Sequence, residues 1–174
     1  MSDVRLVPAA IDLTYEAITG DTKNYDREFQ QILDIEDDSI GQWMKHSKVR
    51  GDGSDSDPMV LNLLVELYRK MDRIETLLTK GINNQYLSLT DKAQIEEIGM
   101  EHFKLSSDSL EIGKVYYGRV EMPIYPKRII PFYFEAINLS LAKITKIHVR
   151  DREEWAYYMT ARERVMIRQI KGLE

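Results

Sequence analysis

Cysteine is absent from this chain of 174 residues. That removes disulfides, thiolate nucleophiles and Cys-ligated zinc together, and it fits a reducing compartment. Long apolar runs are missing as well. Nothing approaches the roughly 20 apolar residues of a membrane-spanning helix, and the opening MSDVRLVPAAIDLTYEA lacks the basic-then-apolar order of a secretory signal. There is no excess of base: the net charge is −5. Residues 1–57 carry 13 acids against 6 bases, and the remainder 16 against 18. An acidic front and a nearly balanced remainder argue against nucleic acid as the main partner, because that binding leans on phosphate neutralisation. Catalytic signatures are missing too. The chain has no Gly-rich phosphate loop, no G-x-S-x-G elbow and no nucleophile with an evident base. His46, His102 and His148 stand far apart without metal-ligand spacing, and Asp37-Asp38 lacks the spacing of a calcium loop. Glu96 and Glu97, as neighbours on a strand, are expected on opposite faces, so they cannot share one substrate. The expectation is a cytoplasmic, non-enzymatic protein with no cofactor, no metal, no nucleic-acid partner and no membrane insertion.

What is present divides the chain. SKVRGDGSDSDP (47–58) is polar and rich in Gly and Ser, the composition of a linker. Upstream, YDREFQQILDIEDDSIGQWMKH spaces Phe29, Ile32, Leu33, Ile35, Ile40, Trp43 and Met44 mostly as a helix does, with a break near Asp37–Ser39. Residues 8–19 read as a further short helix with Pro8 in its first turn. Residues 1–46 are therefore expected to be an acidic helical region, 47–57 a linker and 58–80 a long helix. Asp57 and Pro58 start that helix and Gly81 stops it. From there the period becomes two. QYLSLTD, AQIEEIG, EHFKLSS, KVYYGRVEM, IIPFYFEAI and LAKITKIHV are six short segments rich in β-branched and aromatic residues, as a small antiparallel barrel requires. Tyr116-Tyr117 and Phe132-Tyr133-Phe134 are expected to be half core, with an aromatic docking patch as the alternative. DREEWAYYMTARERVMIRQIKG returns to helical spacing, with Asp151 and Glu154 as a capping-box start and Gly172 as the stop. Its stripe is Trp155, Tyr158, Met159, Val165, Met166 and Ile170. The fold class is thus α+β, with a six-stranded barrel and its C-terminal helix over 81–174.

The helix over 58–80 carries the sharpest signal. Val60, Leu64, Leu67, Met71, Ile74 and Leu78 are spaced 4, 3, 4, 3, 4, the a/d seam of a coiled coil. Leu61, Leu63 and Leu77 widen it at e and g positions, which favours more than two helices. Burial of such side chains stabilises by roughly 1.5–3 kcal/mol each before entropy is deducted. The seam is expected to make the chain a homo-oligomer. Arg69 and Arg73 share a face at i, i+4, but they fall at f and c, away from the seam. They read as its solvated side rather than as a phosphate clamp.

IEEIGMEHFKLSS, GKVYYGRVEMPIYP and DREEWAYYMTARERVMIRQIKG, in that order, resemble PilZ domains. Pro123, Pro126, Asp151, Arg152, Glu153, Tyr157, Glu163, Arg164, Arg168 and Gly172 fit that family's cadence over about residues 59–172. The resemblance implies a barrel that binds cyclic di-GMP through an Arg-x-x-x-Arg lead-in and an Asp/Asn-x-Ser-x-x-Gly turn. Here the turn aligns with Glu97 to His102. Glu97 replaces Asp or Asn, Gly99 replaces Ser, and His102 replaces Gly. The lead-in GINNQYLSLT has no arginine, and the literal match at Arg69 and Arg73 lies inside the heptad helix. The resemblance therefore implies a degenerate member that has lost its nucleotide. Such a protein would act as an adaptor through an unidentified protein partner, in bacterial surface motility or related signalling. The alternatives are a cyclic di-GMP receptor with an unorthodox site built on Arg69 and Arg73, and a plain coiled-coil scaffold.

Overall fold

The computed structural model describes residues 5–35, 58–79, 86–123 and 128–172. Alternation decides the first element. Ile11, Leu13 and Tyr15 are almost wholly buried, with Asp12, Thr14 and Glu16 between them turned outward. That is a strand's period of two, and Val7–Ala17 forms strand β1 instead of the short helix expected over 8–19. Pro8 misled because it suits a first helical turn equally well. Here it sits where the β1 pairing slips register before Ile11, a place where a missing backbone N–H costs the ladder nothing.

Six strands then close on one another. β2 is Asp91–Ile98, β3 His102–Leu105, β4 Val115–Met122, β5 Arg128–Ala136 and β6 Leu141–Ile147. Their order around the closed antiparallel barrel is β1-β2-β3-β6-β5-β4. β1 pairs on one side with β2, Leu13 facing Ala93, and on the other with β4, Leu13 facing Val120. The place assigned to QYLSLTD is thus filled by β1: Tyr86–Thr90 is irregular, and β2 starts at Asp91. The other five expected segments each contain a strand.

Three helices are described: α1 Lys23–Ile35, α2 Pro58–Thr79 and α3 Val149–Lys171. The chain clusters into two compact units. One is Met1–Ile32 with Ser88–Glu174, and the other is Leu33–Leu87. Barrel, β1 and most of α1 therefore belong together, where a separate helical region over 1–46 was expected. The 47–57 linker, Trp43, Met44 and the break near Asp37–Ser39 lie outside the described residues. Among the described residues no helix is long and apolar enough to cross a membrane.

The barrel interior is filled with rings. Phe103 meets Phe134 edge-on at 5.0 Å, and Tyr116 stacks on Phe134 at 5.1 Å. Room for them comes from Gly118, where a Cβ would stand 3.0 Å from Leu13 Cδ1 and 3.1 Å from a Phe134 ring carbon. The ring hydroxyls stay satisfied: Tyr15 donates to Ser109 Oγ at 2.9 Å, and Tyr116 accepts from the Glu111 N–H at 2.8 Å.

α3 plugs one end. Trp155 packs on Phe103 and Phe132 and donates its indole N–H to the Gly99 carbonyl at 2.8 Å. The helix starts at Val149 with His148 as its cap residue, so Asp151 does not cap. Asp151 is buried beside Arg128 at 2.9 Å, and burial raises its carboxyl above the ordinary range against the pull of that guanidinium. Gly172 ends the helix as expected, its N–H returning to Arg168 O at 2.9 Å. The buried stripe is shorter than expected. Trp155, Tyr158, Met159 and Met166 reach the core, whereas Val165 and Ile170 are exposed.

Because β1 closes the ring, its core residues should weigh as heavily as those of the other strands. Leu13→Ala is expected to cost about 2–5 kcal/mol in denaturant unfolding. Removal of residues 5–20 should leave no cooperative transition; a truncated chain that still melts cooperatively would contradict the barrel assignment.

Candidate functional site

The seam of α2 is bare in the isolated chain. Val60, Leu64, Leu67, Met71 and Ile74 are 50–62% exposed, and Met59, Leu63 and Tyr68 beside them are likewise exposed. Val65 is buried, and Glu66 and Arg69 are half-buried. Those three occupy b, c and f positions of the heptad, whereas Asn62 at f, Lys70 at g and Arg73 at c are exposed. Leu78 lies in α2, but its side chain is outside the described set. Arg73 is exposed, whereas Arg69 is partly covered and not fully in solvent as its heptad position implied.

The turn from Glu97 to His102 is filled by the chain itself. Gly99 sits between β2 and β3, where its N–H donates to His102 O at 2.7 Å and its carbonyl accepts from Trp155. A Cβ at Gly99 would stand 2.7 Å from the Arg5 carbonyl oxygen and 3.1 Å from Leu6 Cδ2. The bare backbone therefore serves close packing of the lead-in to β1, leaving no room over the turn. Glu97 and Glu96 both reach Lys104, at 3.6 and 2.8 Å. They share a side because a register shift between Ile95 and Glu97 inserts an extra residue, with Ile95 and Ile98 both pointing inward. The expected split of the two glutamates onto opposite faces is corrected accordingly. His102 lies half-buried opposite Lys143.

A third assembly was not foreseen. Tyr117 and Tyr133 point out of the barrel, yet they are buried, because α1 lies over them. Glu28 of α1 is buried and accepts from the Tyr117 hydroxyl at 2.7 Å and from Arg119 Nη1 at 2.7 and 2.8 Å. Asp26 accepts from the Tyr133 hydroxyl at 2.8 Å, from Thr22 at 2.8 Å and from Lys146 at 3.1 Å. Tyr25 donates to Glu16 at 2.8 Å. Phe29 stacks on His148 at 3.8 Å, and its carbonyl lies 2.8 Å from His148 Nε2. The Lys146 ammonium stands 4.9 Å above both the Phe29 and Tyr133 rings.

Electrostatics follow from this geometry. Hydrogen bonds from Tyr133, Thr22 and Lys146 hold the Asp26 carboxyl below its ordinary range. Burial, then the Glu16 carboxylate, pushes the Tyr25 hydroxyl up to about 12. Burial and the Glu28 charge raise Tyr117 further. Half of each aromatic set is core, as expected: Tyr116, Phe132 and Phe134 face inward, and α1 covers Tyr117 and Tyr133 outside. His148, placed at the end of an expected strand segment, is instead the cap residue of α3 and stacks on Phe29 of α1. The signal for this contact was faint: the outward tyrosines alternate with inward rings, and Phe29 and Ile32 sit one helical turn apart.

Among the described residues, no three or more His, Asp or Glu side chains are grouped to hold a metal. No family model, curated protein or solved structure matches the chain.

Two outcomes follow. Asp26 has a folded value below that of the unfolded chain, so its contribution is present above about pH 4 and lost as pH falls through the folded value. In Asp26→Asn the melting temperature should fall less than in the parent between about pH 5 and 2, as read by circular dichroism. In Gly99→Ser the added Cβ meets backbone. The substitution should lower the melting temperature by several degrees and gain no affinity for cyclic di-GMP; a variant as stable as the parent would contradict the packing.

Proposed function

We propose that this chain is a non-enzymatic, oligomeric adaptor that assembles through α2 and works through protein partners. The carrying observation is the bare seam: five apolar side chains at a/d spacing, each at least half exposed. Leaving that much contiguous apolar surface in water costs roughly 1.5–3 kcal/mol per side chain relative to burial, and a copy of the same helix offers the matching knobs and holes.

The barrel is proposed to be a PilZ-like module that no longer binds cyclic di-GMP. Support comes from the loop where that ligand would sit. Arg5, Leu6 and Trp155 occupy the space over Gly99, and Glu96 and Glu97 put negative charge at its edge. An anionic dinucleotide would meet both obstacles at once. The setting that the resemblance implies is bacterial surface motility, with the barrel and its covering helices as the partner-facing body and α2 as the multiplier.

Light scattering on the eluting protein should give a dimer or larger at tens of micromolar, and Leu64→Glu with Leu67→Glu should reduce it at least tenfold in association constant. A parent chain that elutes as a monomer would sink the assembly. Calorimetric titration with cyclic di-GMP should give no heat of binding. Micromolar binding lost in Arg69→Ala or Arg73→Ala would establish the receptor reading instead.

A further inference from the structure

The outer face of α3 is a second place where the chain is made to meet itself. Trp155 and Tyr158 fix the inner face. The opposite side presents Glu153, Ala156, Tyr157, Thr160, Ala161 and Arg164, which line one shallow depression along the helix. Tyr157 is 70% exposed, a large aromatic ring with no packing against its own barrel to explain it. Among the described residues, Glu153, Tyr157 and Arg164 have no ion-pair or side-chain hydrogen-bond partner, whereas Arg162 and Glu163 on the inner side are tied to Pro8 O and Arg5.

The order of chemistry along this face is the telling feature. Any helix face that steps by three and four residues has the same spacing in both directions. Residue types need not match, but here they do. Reversed against a copy of itself, the face sets Glu153 opposite Arg164 at one end and Arg164 opposite Glu153 at the other. Tyr157 and Thr160 meet about the middle, and Ala156 and Ala161 flank them with side chains small enough for two helices to approach closely. A parallel copy would instead stack Glu153 on Glu153 and Arg164 on Arg164, which repel.

We propose that α3 is an isologous contact surface, and that its partner is the α3 helix of a second copy of this chain, packed antiparallel about a twofold axis between Tyr157 and Thr160. The contact is one helix face wide, so it is weaker than an interface of standard size, and its specificity rests on the two Glu153–Arg164 pairs. It is independent of the assembly proposed for α2, and the two can fail separately.

The test uses the full chain carrying Leu64→Glu and Leu67→Glu, so that α2 contributes nothing. Sedimentation at about 100 µM, suited to a weak contact, should show reversible dimers. Glu153→Arg or Arg164→Glu alone should weaken them at least tenfold. The double variant Glu153→Arg with Arg164→Glu should restore them, as should mixing the two single variants, since each then offers the charge the other lacks. Melting temperatures equal to the parent's would show that the fold is intact.

The absence of native cysteine permits a direct check of direction. In the antiparallel pair, Thr160→Cys lies about 4–5 Å along the axis from its twin and should form a disulfide dimer under mild oxidation. Glu153→Cys, about 16 Å from its twin, should not. Monomers at every concentration, failure of the double reversal to restore dimers, or cross-linking at position 153 in place of 160 would each overturn the proposal.

Discussion

Closure of the barrel by β1 is the constraint on which the molecule depends. Five of the strands lie between residues 91 and 147, and without the sixth they would leave two raw edges, on β2 and on β4. An open edge exposes a row of unpaired amides and carbonyls and invites aggregation. β1 satisfies both edges at once and delivers Ile11, Leu13 and Tyr15 to the interior. It also sets the position of everything attached to it. Arg5 and Leu6, just ahead of the strand, pack over Gly99, and the α1 turns that follow it reach the outer tyrosines.

The chain uses that outer wall in an economical way. Tyr116, Phe132 and Phe134 fill the inside, while Tyr117 and Tyr133, one residue away, build a second apolar layer outside. Rings alone would leave their hydroxyls without partners. The acidic helix brings carboxylates to those hydroxyls and to the cations beside them, so the burial of Glu28 is compensated by Arg119 and Tyr117. The surplus of acid in the first 57 residues, which from composition reads as a solvated front, is thus partly structural.

The barrel was legible because period-two alternation is a local signal, and five of its strands stand in one continuous stretch. β1 was missed for a physical reason. VPAAIDLTYEA is compatible with either period, its Pro8 favours a helix start, and the pairing that decides the matter comes from residues more than seventy positions away. The seam of α2 was legible residue by residue, since heptad spacing needs no tertiary information; its exposure could only come from coordinates. The register shift that puts Glu96 and Glu97 on one side, and the carbonyl of Arg5 pressed against Gly99, leave no trace in composition or period. Both are products of closure, and closure is not a local property.

The route of the chain has a further consequence. β1 and β2 are neighbours in the barrel, yet residues 18–90, α1 and α2 among them, intervene between them in sequence. During synthesis β1 leaves the ribosome without a mate and must wait for the whole insertion, and then for β4, before its second edge is met. Joining ends so far apart carries an entropic penalty and makes folding slow. α2, whose hydrogen bonds are all local, can wind within microseconds of emerging. The helix that carries the apolar seam is therefore finished while the body that will carry it is still an unclosed thread.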